Sequence, residues 1–235
     1  MADSPVHYTH TNGVAVIQMD DGKANALSYS MLDALTAALD RAESEANAVI
    51  LTGRPGRFCA GFDLKTMSAS PESAVQLLTR GSEVMMRLYG FSLPVVVACS
   101  GHAIAGGVLL NNCGDVRIGI EGDFRLGLNE VAIKMPLPIL AIEIARARLS
   151  PAALTEATLG ARLFTSAEAV TAGYLDQIVP PDQLMDSAFA VAEAWGAYDR
   201  HAFHESKKRL RGMTIQYIED TLEDDLQAFK SPAAE

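Results

Sequence analysis

The alternation of apolar and polar positions predicts that strands and helices follow one another along most of the chain. Short apolar runs rich in β-branched residues predict strands at residues 14–19, 48–52, 95–97 and 116–120. Apolar residues at helical spacing predict helices over residues 31–44, 72–89, 140–148, 186–195 and 217–229. Ser28 is a plausible cap for the first helix, and Ser150 and Thr165 begin two more. This alternation predicts an α/β fold.

The pattern changes towards the C-terminus, where strands give way to helices. Residues 178–181 are predicted to be an extended link, because two prolines follow two β-branched residues. We therefore predict a core over residues 1–181 and a helical region over residues 182–235.

Residues 94–115 predict a buried strand that turns sharply at Ser100 and Gly101 and continues into an apolar helix through Ala105, Gly106 and Gly107. Glycines let a ligand approach the main chain, and a helix N-terminus leaves N–H groups unpaired. The stretch therefore predicts an anion-binding turn. The alternative is that its glycines serve packing alone.

Composition and charge exclude several classes of function. The 235 residues are long enough for one sizeable core, and no apolar run reaches membrane-spanning length. A net charge of −10 opposes binding to nucleic acid. The three cysteines lack the spacing of zinc ligands, and we expect them to be reduced and buried, with no metal and no disulfide. The N-terminal residues lack the pattern of a signal peptide, so a cytoplasmic protein is expected.

A second glycine-containing turn, Ala60-Gly61-Phe62, precedes the turn at Gly106 by about one β/α unit. Two such turns can supply two facing N–H donors. A pair of donors aimed at one oxygen forms an oxyanion hole, in which each donor contributes about 2.7–4 kcal/mol to stabilising the transition state.

The motifs FCAGFDL, HAIAGG with the later Cys-Gly-Asp, and GLNE resemble those of the crotonase (enoyl-CoA hydratase/isomerase) superfamily over residues 14–178. The resemblance implies a crotonase-like α/β spiral of ββα units with a helical C-terminal region. It implies an acyl-CoA thioester as the substrate, with coenzyme A present only as part of that substrate and no separate cofactor. It also implies a homotrimer or a dimer of trimers.

The resemblance implies that the N–H groups of Phe62 and Gly106 hold the thioester oxygen as it becomes an enolate. It further implies a main-chain contact to coenzyme A by Ala60, Gly61, Asp63 and Leu64. Lys23 and Lys65 are candidates for contacting the phosphates of coenzyme A.

Hydratases of this family use two carboxylates, at the positions matched by Leu109 and Glu130. This chain keeps only Glu130, and a leucine cannot accept a proton or orient a water molecule. One base can instead move a proton from C2 to C4 of a 3-enoyl thioester. The resemblance therefore favours a Δ3,Δ2-enoyl-CoA isomerase.

Two alternatives stay open at this stage. One is a hydratase or another crotonase reaction, with His102 as an unusual acid or base, and the other is an acyl-CoA-binding protein without catalysis. Asn111 and Asn112 are unusual in an apolar helix and receive no role. Asp115 is expected to pair at a helix end. The basic run at residues 207–211 is expected to be a solvated helix face, with contact to the phosphates of coenzyme A as the alternative.

Overall fold

The computed structural model describes residues 4–227, in which ten strands and nine α-helices form. The strands are β1 (Val6–Thr11), β2 (Val14–Met19), β3 (Ala48–Thr52), β4 (Gly56–Cys59), β5 (Val95–Cys99), β6 (Gly101–Ile104), β7 (Val116–Ile120), β8 (Arg125–Gly127), β9 (Phe164–Thr165) and β10 (Gln177–Val179). The helices are α1 (Tyr29–Glu45), α2 (Leu64–Met67), α3 (Pro71–Tyr89), α4 (Gly106–Asn112), α5 (Ile139–Arg148), α6 (Pro151–Thr158), α7 (Ser166–Ala172), α8 (Leu184–Gly196) and α9 (Arg200–Gln227).

The strands form two sheets that the chain visits in turn. One sheet has six strands in the order β1-β2-β3-β5-β7-β10, and the other has four in the order β4-β6-β8-β9. Three successive units, each of two strands and a following helix, start at β3, β5 and β7. Each unit gives its first strand to the larger sheet and its second to the smaller one. This arrangement confirms the predicted spiral of ββα units.

The larger sheet is buried on both faces, as the continuous apolar runs of its parallel strands require. On β3, Val49 and Leu51 belong to the main core, while Ala48 and Ile50 face the opposite way. That second face packs against Ala188 and its neighbours on α8. The division into residues 1–181 and 182–235 stays a prediction.

Most predicted elements are present. Ser28 accepts a hydrogen bond from the Met31 N–H at 3.3 Å and caps α1, and Thr165 and Glu168 form the predicted capping box of α7.

All three cysteines are buried free thiols. Within residues 4–227, none of the helices combines the length and apolarity that crossing a membrane requires.

Two predictions about elements were wrong, and one was incomplete. Gly101–Ile104 is a strand rather than part of a turn, because β4 and β8 flank it and pair with it. The link is extended as predicted, but its first residues belong to β10, which joins the larger sheet beside β7. The last helix begins at Arg200 rather than at residue 217, and Phe229, the predicted end, lies outside the described residues.

The prediction that the basic run on α9 is a solvated face holds for Lys208 and Arg209, which are exposed, and is wrong for Lys207 and Arg211. The side chains of Lys207 and Arg211 are buried and pair with Asp115 at 2.6 and 2.9 Å. Asp115 also accepts the Val95 N–H at 2.8 Å. Burial lowers the pKa of Lys207 to about 8, against the opposing attraction of Asp115. The expectation that Asp115 pairs at a helix end is confirmed.

The same cluster closes the C-terminal end of α4. Arg148 donates to the carbonyls of Asn112, at 2.9 Å, and of Gly114, while Arg211 donates to the carbonyl of Cys113 at 3.4 Å. The last carbonyls of a helix carry partial negative charge, so guanidinium groups from α5 and α9 hold this end in place.

Candidate active site

The two glycine turns predicted to form an oxyanion hole meet in the structure. A methyl group built on Gly61 would lie 3.2 Å from the Gly106 nitrogen and 3.1 Å from the Ala105 Cβ. Gly61 has φ of +93°, and a side chain there would be strained and crowded. The glycine at position 61 therefore lets the two turns come together.

Ala105 sets the direction of the Gly106 N–H. It has φ of 52° and ψ of −128°, a conformation that L-residues seldom adopt and that costs of order 1–3 kcal/mol. Its own N–H donates to the Gly127 carbonyl at 2.9 Å. Gly106 is the first residue of α4, and within residues 4–227 its N–H has no protein acceptor. The strained turn thus presents a free donor.

The second donor lies in a short parallel bridge between Phe62 and Leu27. The Leu27 N–H donates to the Gly61 carbonyl at 2.8 Å, and the Asp63 N–H donates to the Leu27 carbonyl at 3.2 Å. These bonds use the groups on either side of the Phe62 N–H, which has no protein acceptor in the part of the chain that the structure describes. Both predicted donors are therefore unpaired.

The Phe62 ring is held between two helices. A methyl group on Gly81 of α3 would lie 2.3 Å from its Cε1, and one on Gly106 of α4 would lie 2.8 Å from its Cε2. Ring and main chain belong to the same residue, so this packing fixes the Phe62 N–H. The role of Gly81 could not be predicted from the sequence, because a glycine inside a helix carries no signal of the ring that it accommodates.

Glu130 lies beside these turns. It follows β8, whose last residue, Gly127, accepts the hydrogen bond from Ala105. The Glu130 residue is only 8% exposed, and its Oε2 has no partner among the described residues. Burial raises the pKa of the carboxyl, and the main-chain N–H groups of Glu130 and Asn129 oppose that rise. Glu130 is therefore a buried carboxyl with one unpaired oxygen, and a buried carboxyl with a raised pKa is a candidate for moving protons.

Leu109 lies one turn after Gly106 on α4. It is 2% exposed and belongs to the main apolar core. Residues three apart on a helix share a face, so Leu109 presents a side chain without acid or base on the face that carries Gly106. In contrast to Leu109, Val131 and Ile133, which follow Glu130, are exposed.

The predicted binding residues lie on two segments, residues 23–27 and 60–65, which main-chain hydrogen bonds hold together. The Ala60 N–H donates to the Ala24 carbonyl at 3.1 Å, next to Lys23, and the Leu27 bridge continues the contact. Ala60, Lys23, Lys65 and Leu64 are exposed, and Leu64 is 74% exposed. Asp63 uses its carboxylate to cap α2, where the Thr66 hydroxyl and N–H donate to it and lower its pKa. Its contribution to binding would be through the main chain.

Sequence and structure comparisons show which proteins this chain resembles. The sequence model of the Enoyl-CoA hydratase/isomerase family matches residues 9–235. The chain belongs to this family.

Three similar proteins carry different names within the family. Mouse mitochondrial enoyl-CoA delta isomerase 1 is 31% identical over 224 residues, which cover 93% of this chain and 78% of the mouse protein. A putative enoyl-CoA hydratase of Thermus thermophilus is 34% identical over 77% of this chain and 73% of its own length. The crystal structure of human mitochondrial delta3-delta2-enoyl-CoA isomerase superposes with a TM-score of 0.92 at 30% identity, covering 96% of this chain and 90% of the human one. The comparisons establish a family of enzymes and its crotonase fold.

Other candidate residues of this family member have structural contacts. His102 accepts the Arg125 N–H on Nδ1 at 3.1 Å, and its ring meets Phe124 edge-on at 5.4 Å. Burial lowers its pKa, aided by the nearby Arg57 and Arg125. These contacts give His102 a role in joining β6 to β8.

Asn111 and Asn112, which received no role from the sequence, are fully buried on α4. The Asn111 Nδ2 donates to the Tyr174 carbonyl at 2.8 Å and to the Asn112 Oδ1 at 3.1 Å. Asn111 thus ties α4 to the segment after α7. This contact could not be predicted from the sequence, since nothing in the local pattern distinguishes Tyr174 from any other core aromatic residue.

Proposed function

We propose that this family member is a Δ3,Δ2-enoyl-CoA isomerase. The observation that carries the proposal is a single buried carboxyl, Glu130, beside two unpaired N–H donors, with the apolar Leu109 at the position where the family resemblance assigns a second acid. Relatives named as isomerases support the same activity.

The reaction needs one base and one site for negative charge. The Glu130 carboxylate removes a proton from C2 of a 3-enoyl thioester, and the electron pair of the C–H bond moves into a dienolate. The N–H groups of Phe62 and Gly106 stabilise the negative charge on the thioester oxygen. Glu130 then returns the proton to C4, and the double bond lies between C2 and C3. No atom is gained or lost.

The coenzyme A part of the substrate would bind along residues 23–27 and 60–65. Main-chain groups of Ala60 and Gly61 would contact it, and the exposed ammonium groups of Lys23 and Lys65 would meet its phosphates. The net charge of −10 makes such local cations the means of attracting an anionic substrate.

The raised pKa of Glu130 predicts the pH dependence. Since the carboxylate is the active form, kcat/KM falls as pH decreases through the pKa of Glu130. Because burial raises that pKa, the fall begins at a higher pH than for an exposed glutamate.

The test is conversion of 3-hexenoyl-CoA to the conjugated 2-enoyl thioester, followed by ultraviolet absorbance. We expect Glu130→Ala to lower kcat by about 10²–10⁴-fold, the usual contribution of a general acid–base group. The exposed carboxylate of Glu121 provides the control, because Glu121→Ala should leave the rate unchanged. An unchanged rate in Glu130→Ala would contradict the proposal.

Hydration is the second candidate, since a Thermus relative is named a putative hydratase. Hydration of crotonyl-CoA that exceeds isomerisation and is abolished in His102→Ala would favour it. Tight binding of 3-hexenoyl-CoA without conversion of any acyl-CoA tested would instead indicate a binding protein.

We also propose that the protein is a homotrimer or a dimer of trimers, which sedimentation velocity measures directly. We propose a cytoplasmic location, which cell fractionation tests.

A further inference from the structure

Residues 20–27 form a loop that runs along an open edge of the smaller sheet. The edge strand is β4, the first in the order β4-β6-β8-β9. The Ala60 N–H donates to the Ala24 carbonyl at 3.1 Å, and the Leu27 N–H donates to the Gly61 carbonyl at 2.8 Å. An uncovered strand edge leaves main-chain N–H and C=O groups unpaired. The loop therefore takes the place of a neighbouring strand beside β4 and the turn that follows it.

β4 contains a β-bulge close to that turn. Arg57 and Cys59 pair with consecutive residues of β6, so Phe58 is the extra residue of the bulge. An extra residue disturbs the ladder and bends the strand that carries it. Because Gly61 follows three residues later, this bend helps to set the direction in which the chain enters the glycine turn. The shape of the bulge thus bears on the position of the Phe62 N–H.

The side chain of Asn25 binds the bulge, and the residue is 0% exposed. Its Nδ2 lies 3.1 Å from the carbonyl oxygens of Arg57 and Phe58, and 3.0 Å from that of Met19 at the end of β2. Its Oδ1 accepts the Asp21 N–H at 3.1 Å. The two Nδ2 hydrogens are therefore shared among three carbonyls, and one amide joins the bulge, the end of β2 and the loop.

The main chain at Asn25 adopts the left-handed conformation, with φ of 54°. Asparagine adopts this conformation more readily than most residues. The Asp21 carboxylate holds it, since Oδ1 accepts the N–H groups of Lys23 at 2.7 Å and Asn25 at 2.9 Å. Its Oδ2 accepts the Ala26 N–H at 3.1 Å. An aspartate at position 25 would turn an acceptor towards three carbonyls, so the contacts favour an amide.

We propose that Asn25 is a positioning residue for the Phe62 N–H, one of the two oxyanion donors. The inference rests on the proposed isomerase activity. Asn25 fixes the loop to the bulge, and two residues later the Leu27 main chain binds the groups on either side of the Phe62 N–H. The same loop carries Lys23 and Ala24, beside which coenzyme A would bind. Loss of the amide therefore releases both the donor and this part of the substrate-binding segment.

The test removes the amide without straining the main chain. Asn25→Gly permits the left-handed conformation and removes every side-chain hydrogen bond, whereas Asn25→Asp keeps the volume and one acceptor but loses the donor. The control is Thr52→Val, which removes another buried side-chain hydrogen bond. In that bond, the Thr52 hydroxyl of β3 donates to the Ala98 carbonyl of β5 at 2.7 Å, within the larger sheet.

Amide hydrogen exchange, measured by NMR in the protein without substrate, reports on the bridge beside Phe62. We expect the Leu27 and Asp63 N–H groups to exchange about ten-fold faster in both Asn25 variants than in Thr52→Val, because the loop opens more easily without its anchor. Exchange at the rate of the control in both folded variants would overturn the proposal.

Kinetics with 3-hexenoyl-CoA give a separate reading. We expect both Asn25 variants to lower kcat/KM about 10²-fold, the loss that a misplacement of about 1 Å can cause, and Thr52→Val to keep the rate. The Raman band of the thioester carbonyl in bound hexanoyl-CoA, which N–H donors move to lower frequency, should move less in Asn25→Gly. An equal movement in Asn25→Gly and in the unsubstituted protein would overturn the proposal.

The two proposals can fail separately. Faster exchange at Leu27 in a protein without isomerase activity would contradict the proposed function and uphold the positioning of the Phe62 segment. If neither Asn25 variant folds, the Asn25 Nδ2 hydrogens of the unsubstituted protein decide. They should exchange far more slowly than those of Asn12, an exposed residue, and equal rates would overturn the proposal.

Discussion

The two ends of α4 treat polar groups in opposite ways. At the N-terminal end, the Gly106 N–H has no protein acceptor and Ala105 adopts a strained conformation. At the C-terminal end, Arg148 and Arg211 bind the last carbonyls, and Asp115 pairs with Arg211 and Lys207. One end carries unused donors, and the other is tied to α5 and α9.

The comparison shows how a short helix can present a free donor. Unpaired groups and strain cost free energy, and they persist only where the surrounding structure holds them in place. The charged cluster supplies that restraint at the far end of a helix of seven residues. Three substitutions test this division.

Removing the charge of Asp115 should be the most disruptive change. Asp115→Asn leaves Lys207 and Arg211 buried without a counter-charge, and breaking such a buried pair costs about 3–5 kcal/mol. Urea unfolding measures the loss. Asp123→Asn is the control, because the Asp123 side chain is 89% exposed and its pair with Arg125 should contribute less than about 1 kcal/mol. Equal effects of the two substitutions would contradict the anchoring role of Asp115.

A methyl group on Gly81 should displace the Phe62 ring and with it the Phe62 N–H. The ring cannot yield towards Gly106, which it already contacts, so Gly81→Ala should lower kcat/KM about 10²-fold, as for loss of one oxyanion donor. The control is Gly212→Ala on α9, where a methyl group would meet no atom within 4 Å. Activity of Gly81→Ala close to that of the control would show that Phe62 is not constrained as described.

Replacing Glu130 should reveal what the unpaired carboxyl costs in stability. Burial raises the pKa of Glu130, so the free energy of unfolding falls as pH rises from the ordinary glutamate pKa to the raised value. Above the raised pKa, the loss of stability stays constant. Glu130→Gln should therefore be about 1 kcal/mol more stable at pH 7 and lose that advantage in acid. Urea unfolding at several pH values measures it. A difference in the free energy of unfolding that stays constant across pH would show that burial of the Glu130 charge is not its cause.

The local pattern predicted most of the fold, since strands and helices whose residues pack with their own periodicity are visible in sequence. It failed where distant partners decide the structure. The four residues of β6 form a strand only because β4 and β8 lie on either side. Likewise, the local sequence predicts that Lys207 is solvated, whereas in the fold it is buried against Asp115, which is distant in sequence.

The same reason limits prediction of the site. The glycine turns and Glu130 stand in local motifs, so their residues could be named in advance. The strain at Ala105, the ring contact at Gly81 and the burial of Tyr174 depend on how separate elements pack, and no single stretch of sequence contains them.

The pairing of strands in the smaller sheet sets distances within the candidate site. Phe62, Gly106 and Glu130 each follow the carboxyl end of a strand, and these strands, β4, β6 and β8, are parallel neighbours. Adjacent strands lie about 4.8 Å apart. The strand ladder therefore sets the separation of the Phe62 and Gly106 N–H groups and the Glu130 carboxyl, whatever the length of the helices inserted between the strands. An insertion in a connecting helix would therefore leave the separation of these three groups unchanged, because strand pairing fixes it.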